Sequence, residues 1–145
     1  MAITTAMCTS FKAELLGGLH DLDNDDIKIA LIKASPSGTY GAATTNYSNV
    51  TDNSDESTGT GYGAGGQLLD YPAITTSGTT ALVDFADEVF TNITTSADGC
   101  IIYNATEGNR AICVIDFGGT VSASAGDLTI EFPTAGASTA VIRIA

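Results

Sequence analysis

Cys100-Ile101-Ile102-Tyr103-Asn104-Ala105-Thr106-Glu107-Gly108-Asn109-Arg110-Ala111-Ile112-Cys113-Val114-Ile115-Asp116-Phe117 holds two apolar runs around a short polar loop. Gly108 and Asn109 tolerate positive φ, so the loop reads as the turn of a β-hairpin. Both runs are apolar on nearly every residue, which predicts central strands covered on two faces.

Working outward, the same punctuation recurs. Thr80–Phe85, Leu128–Phe132 and Ala140–Ile144 are short apolar runs separated by Gly, Ser, Asp and Pro, and each reads as a strand. Leu128, Ile130 and Phe132 alternate with Thr129 and Glu131, as in a strand with one wet face. Earlier in the chain, Ile27, Ile29 and Leu31 alternate with Lys28 and Ala30 in a further half-buried strand, and Gln67–Asp70 reads as a weak one ended by Tyr71-Pro72. One helix is expected. Thr9 or Ser10 caps a segment from Phe11 to Leu16 that closes on Gly17-Gly18, with Phe11, Leu15 and Leu19 spaced four apart on one side. Short strands after one short N-terminal α-helix predict a mainly β fold, an antiparallel β-sandwich of jelly-roll-like form. At 145 residues the chain is expected to be a single domain over 1–145, with an extended N-terminal arm (1–8) and a long polar loop (34–58).

Composition narrows the function. Seventeen acidic residues against five basic ones give a net charge of -12, yet only 15% of residues are charged. With 21 Thr, 11 Ser and 16 Gly, the surface must be coated largely by hydroxyls and glycine. The five cations, Lys12, Lys28, Lys33, Arg110 and Arg143, are scattered, which argues against nucleic acid and against an anionic membrane surface. No apolar run approaches a membrane span, and residues 1–7 lack the basic start of a signal peptide. Cys8, Cys100 and Cys113 are an odd number without metal-ligand spacing and read as reduced, buried thiols.

The chemical motifs favour bland readings. Asp21-Leu22-Asp23-Asn24-Asp25-Asp26 begins like a calcium loop, but Asp26 stands where Gly is required and Ile32 where a bidentate Glu is required, so a solvated turn is expected. Gly61-Tyr62-Gly63-Ala64-Gly65-Gly66 fits a dinucleotide fingerprint only formally, since no apolar strand precedes it, and reads as a flexible lead-in to a strand. Asp116-Phe117-Gly118 reads as a strand end. His20, the only histidine, has no matched nucleophile in the sequence and reads as a surface residue. With no Trp and ten aromatic residues there is little to build a sugar-stacking cleft. No catalytic residue, cofactor or metal site is expected.

The order of Thr9-Ser10-Phe11-Lys12-Ala13-Glu14-Leu15-Leu16-Gly17-Gly18-Leu19-His20, Lys28-Ile29-Ala30-Leu31, Gly61-Tyr62 with Ala64-Gly65-Gly66-Gln67, Val83-Asp84-Phe85-Ala86-Asp87, Ile101-Ile102-Tyr103-Asn104, Ile115-Asp116-Phe117-Gly118 and the ending Phe132-Pro133 to Ile142-Arg143-Ile144-Ala145 resembles a group of small virion structural proteins of tailed bacteriophages. The resemblance implies a non-enzymatic capsid decoration or cement protein, made in the host cytoplasm and placed on the capsid surface of the virion. Its implied partners are the major capsid protein and further copies of itself in a homo-oligomer such as a trimer. A tail- or fibre-associated adhesion module for a host receptor or glycan is the alternative. The expected partner contacts are Ala2, Ile3, Thr4, Thr5 and Met7 of the uncharged arm, with Tyr40 and Tyr47 as anchors in the polar loop, because apolar and aromatic side chains in polar segments gain most from burial against a partner; packing of the two tyrosines under their own loop is the equal alternative.

Overall fold

Backbone pairing in the computed structural model, which describes residues 2–145, follows the apolar runs and extends well beyond them. In chain order the elements are β1 (Ala6–Met7), α1 (Thr9–Leu16), β2 (Ile27–Lys33), α2 (Ser48–Thr51), β3 (Gln67–Leu68), β4 (Ala73–Ser77), β5 (Thr80–Asp84), β6 (Glu88–Asn104), β7 (Arg110–Ile130) and β8 (Ile142–Ile144). They form two antiparallel sheets, a five-stranded one in the order β1-β7-β6-β2-β3 and a three-stranded one in the order β4-β5-β8. The fold is mainly β, as expected.

The hairpin lies at the centre of the larger sheet. Gly108 and Asn109 take φ of 65° and 63° in its turn, and Cys100 to Asn104 and Ala111 to Val114 are all buried between covering layers. Ile27, Ile29, Leu31 and Ile32 of β2 pack beside them, and α1 adds Phe11 to the same cluster. Val83, Phe85 and Ile142 carry the smaller sheet into that cluster. Burial of this kind, at roughly 25 cal/mol per Å² of apolar surface, is the main term favouring the fold. All three thiols are buried and free. Burial, reinforced by the Glu14 charge, pushes the Cys8 thiol up to about 11, and burial pushes Cys100 up to about 12, so neither forms a reactive thiolate at neutral pH.

Four local expectations are corrected. The runs Ala111–Phe117 and Leu128–Phe132 belong to one strand, because β7 continues through Gly118–Asp127 and stays paired to β6 from Glu88↔Ile130 to Asn104↔Arg110. Asp116-Phe117-Gly118 is therefore inside a strand. Register shifts in β6 between Phe90 and Gly99 absorb the irregular backbone of Gly118 (φ 76°) and Ala125 (φ 47°). Strand β4 was not expected, and it forms a hairpin with β5 around Gly78-Thr79. The helix cap is Cys8 without a side-chain hydrogen bond, rather than Thr9 or Ser10.

The arm and the loop are both built into the domain. Met1, the first residue of the expected arm, lies outside the described residues. Thereafter Ala6 and Met7 pair with Val114 and Cys113, Thr4 N–H donates to Tyr40 O at 2.9 Å, and Tyr40 N–H donates to Ala2 O at 2.9 Å. Residues 2–8 thus stitch the β7 edge to the polar loop and are not a free extension. Within the loop, α2 and the turn around Asp55 give defined structure, and Ser57 N–H donates to Leu31 O to align the following segment with β2.

Candidate functional site

Asp55 and Glu56 are adjacent, and each organises tyrosines. Asp55 is fully buried; it accepts hydrogen bonds from Ser37 N–H (2.9 Å), Gly38 N–H (2.7 Å) and the Tyr40 hydroxyl (2.5 Å), and Lys33 Nζ lies 3.0 Å away. Burial alone would raise its pKa. The donors of Ser37, Tyr40 and Gly38 together with Lys33 outweigh that term and hold the carboxyl well below the usual range. On the other side of the backbone, Glu56 accepts from the Tyr47 hydroxyl (2.5 Å), the Tyr62 hydroxyl (3.0 Å) and Gly65 N–H (2.6 Å). Tyr47 stacks on Tyr103 with ring centroids 4.6 Å apart, and the Tyr103 hydroxyl donates to Gly65 O at 2.7 Å. Burial, then the neighbouring carboxylates, push Tyr40 and Tyr103 up to about 12, and Tyr47 and Tyr62 rise further. These phenols stay protonated at neutral pH and serve as donors that hold the loop against β2 and β6.

Of the two roles expected for Tyr40, this geometry gives it packing under its own loop. Its ring is 1% exposed because its hydroxyl satisfies a buried carboxylate. Tyr47 is half-buried and engaged in the stack, so it too is a clamp within its own loop. Of the arm residues, Ala2, Thr4 and Thr5 are exposed, while Ile3 and Met7 are half-buried. Thr5 Oγ1 accepts from Asp116 N–H at 2.9 Å. The structure brings the arm and Tyr40 together through backbone bonds, with Ile3 bridged to Tyr40.

A second polar cluster joins α1 to the hairpin end, and it moves His20 from the surface to the interior. The His20 side chain is 0% exposed, sits edge-on to Phe11, and has Nε2 2.8 Å from Glu14 Oε2 and Nδ1 3.0 Å from Asn104 Nδ2. The Asn104 amide also donates to Asp25 Oδ2 at 2.7 Å, while its oxygen accepts from Glu107 N–H at 3.1 Å. Those two partners fix the amide orientation, so Nδ1 of His20 must accept and Nε2 donates to Glu14. Glu14 also receives Arg110 Nη1 at 2.8 Å. Both imidazole nitrogens are committed, and the Ser10 hydroxyl one turn before Glu14 is buried without a partner among the described residues. Asp25 is buried as well, so the acidic turn is anchored at one residue rather than solvated throughout. The only histidine among alternating acids signalled polarity in this region; the 84-residue separation from Asn104 hid the partner.

Replacing Asn104 with Ala is expected to destabilise the protein by about 3 kcal/mol, since it strands His20 Nδ1, the Glu107 N–H and part of the Asp25 carboxylate in the interior. Urea unfolding reads this directly. A midpoint equal to that of the parent would show that the cluster contributes nothing.

Two shallow apolar depressions complete the surface. One of about 500 Å³ lies between the end of α1 and the smaller sheet, and one of about 300 Å³ lies against β7 near Phe117, Val121 and Leu128. Among the described residues no group of three or more His, Cys, Asp or Glu is placed to hold a metal ion, and no helix is long and apolar enough to cross a membrane. The chain matches no protein-family model, no curated protein and no solved structure.

Proposed function

We propose that the chain is a non-enzymatic structural protein of a tailed-phage virion, which binds the outside of the capsid in many copies and bridges neighbouring major capsid subunits. One observation supports the reading above the others: between Glu88 and Asp98 on β6, and between Asp116 and Asp127 on β7, the paired strands of the hairpin carry no charged side chain. Residues 89–97 on one strand and 117–126 on the other contain no Asp, Glu, Lys or Arg, in a chain with 17 acidic residues elsewhere. Hydroxyl, glycine and apolar groups are less costly to remove from water than charges, so such a face suits burial against another protein. The groove beside it, lined by Phe117, Val121, Leu128 and Phe132 with Glu131 among them, offers room for an apolar side chain.

The test is co-sedimentation of purified protein with shells that lack it. Wild-type protein is expected to pellet with the shells at saturating occupancy. Val121→Glu, which puts a charge on an exposed position of the face, is expected to melt like the parent and to lose most of that occupancy. Wild type left in the supernatant, or Val121→Glu binding as tightly as the parent, would overturn the assignment.

A further inference from the structure

The apolar groove between α1 and the smaller sheet has its complement on the same molecule. Its floor is Leu15, Leu22, Val83 and Ile142, and the exposed Asp21 and Asp23 stand on its rim. Ile74 and Ile144 at its margin are 46% and 51% exposed. Beside it, at the end of α1, Leu16 is 91% exposed, the most exposed large apolar side chain of the described residues. One helical turn earlier on the same face stands Lys12, which is exposed and forms no ion pair among the described residues. On the rim, the Asp23 carboxylate accepts no hydrogen bond there either, its own N–H being donated to Asp21. A bare apolar knob with a free cation therefore adjoins an apolar groove with a free anion.

We infer that two copies of this chain associate about a two-fold axis at the end of α1, each placing Leu16 in the groove of the other and Lys12 against its Asp21–Asp23 rim. A two-fold contact requires one surface to be complementary to itself, and adjacent knob and groove of opposite charge meet that requirement. Charge complementarity selects the occupant: the rim is acidic, and few surfaces of a chain with net charge -12 offer an apolar residue beside an unpaired lysine. The contact involves α1, β4, β5 and β8 and leaves the uncharged hairpin face open, so it stands or falls separately from binding to a shell.

Sedimentation velocity over a range of concentrations tests it, using wild type, Leu16→Arg, Lys12→Glu and Asp23→Lys, each first checked for native circular dichroism. Wild type is expected to reach the mass of two chains. Each variant alone is expected to associate at least about tenfold more weakly, because it buries a charge or opposes like charges. Mixing Lys12→Glu with Asp23→Lys restores both attractive pairs across the two-fold, and the mixture is expected to regain the two-chain mass. Wild type that stays at one chain, or a mass other than two, overturns the inference and leaves the groove to a different partner. So does Leu16→Arg associating like the parent, or a mixture no tighter than its components.

Discussion

Replacing Asp55 with Asn lowers the unfolding free energy by about 3 kcal/mol and flattens the acid side of the stability profile. The magnitude follows from what surrounds the carboxylate. Ser37 N–H, Gly38 N–H, the Tyr40 hydroxyl and Lys33 all point at it, and an amide can accept from only some of them while presenting its own donors to the rest. Lys33 is partly exposed and recovers hydration, so the penalty falls mainly on the buried groups. The pH dependence has a definite sign. The folded-state pKa of Asp55 lies below its unfolded value of about 3.9, so its contribution is complete above that value and is lost as pH falls through and below it. Urea midpoints of parent and variant measured from neutral to acid pH should therefore converge as the pH drops. A constant gap, or no gap at neutral pH, would remove Asp55 from the centre of the loop.

Replacing Gly66 with Ala has a larger effect still, a loss of more than about 4 kcal/mol, because the obstacle is backbone. Gly66 has φ of +72°, and a Cβ there would sit 1.8 Å from Ile29 O and 2.8 Å from Ala30 Cα, inside the central sheet. The collision is relieved only by moving the lead-in to β3 away from β2. Gly59 meets the same obstacle against β6, where a Cβ would lie 1.8 Å from Thr94 O. Gly63, three residues before Gly66, has nothing within 4 Å, so Gly63→Ala is the control and should stay within about 0.5 kcal/mol of the parent. Thermal melts of Gly66→Ala and Gly63→Ala decide the matter. Equal melting temperatures would mean that the segment is as loose as its composition suggests.

That contrast explains how far the sequence could be read. The apolar runs of Ile27–Lys33, Cys100–Asn104 and Ala111–Phe117 became buried strands because their side chains alone require cover on one face or both. By contrast, Thr91, Asn92, Thr94 and Ser96 of β6 and Gly118–Gly126 of β7 have the composition of loops, and they are strands because each lies opposite the other in a long hairpin. Residues 59–66 read as flexible for the same local reason, whereas the close approach to Ile29 and Thr94 that demands glycine comes from tertiary packing. Tyr40 and His20 illustrate the polar counterpart. Nothing near Tyr40 in sequence announces that Asp55 needs its hydroxyl, and nothing near His20 announces Asn104. The stretches 89–97 and 117–126 are not legible as a pair for the same reason: each is merely polar and uncharged by itself, and only the strand pairing places them side by side.

The central proposal is that this chain is a many-copy component of a shell exterior, and counting it in purified particles tests that most directly. Quantitative mass spectrometry against the major capsid protein should give a copy number of the same order as the capsid subunits. A count matching a tail or fibre protein, or no copies at all, would contradict it.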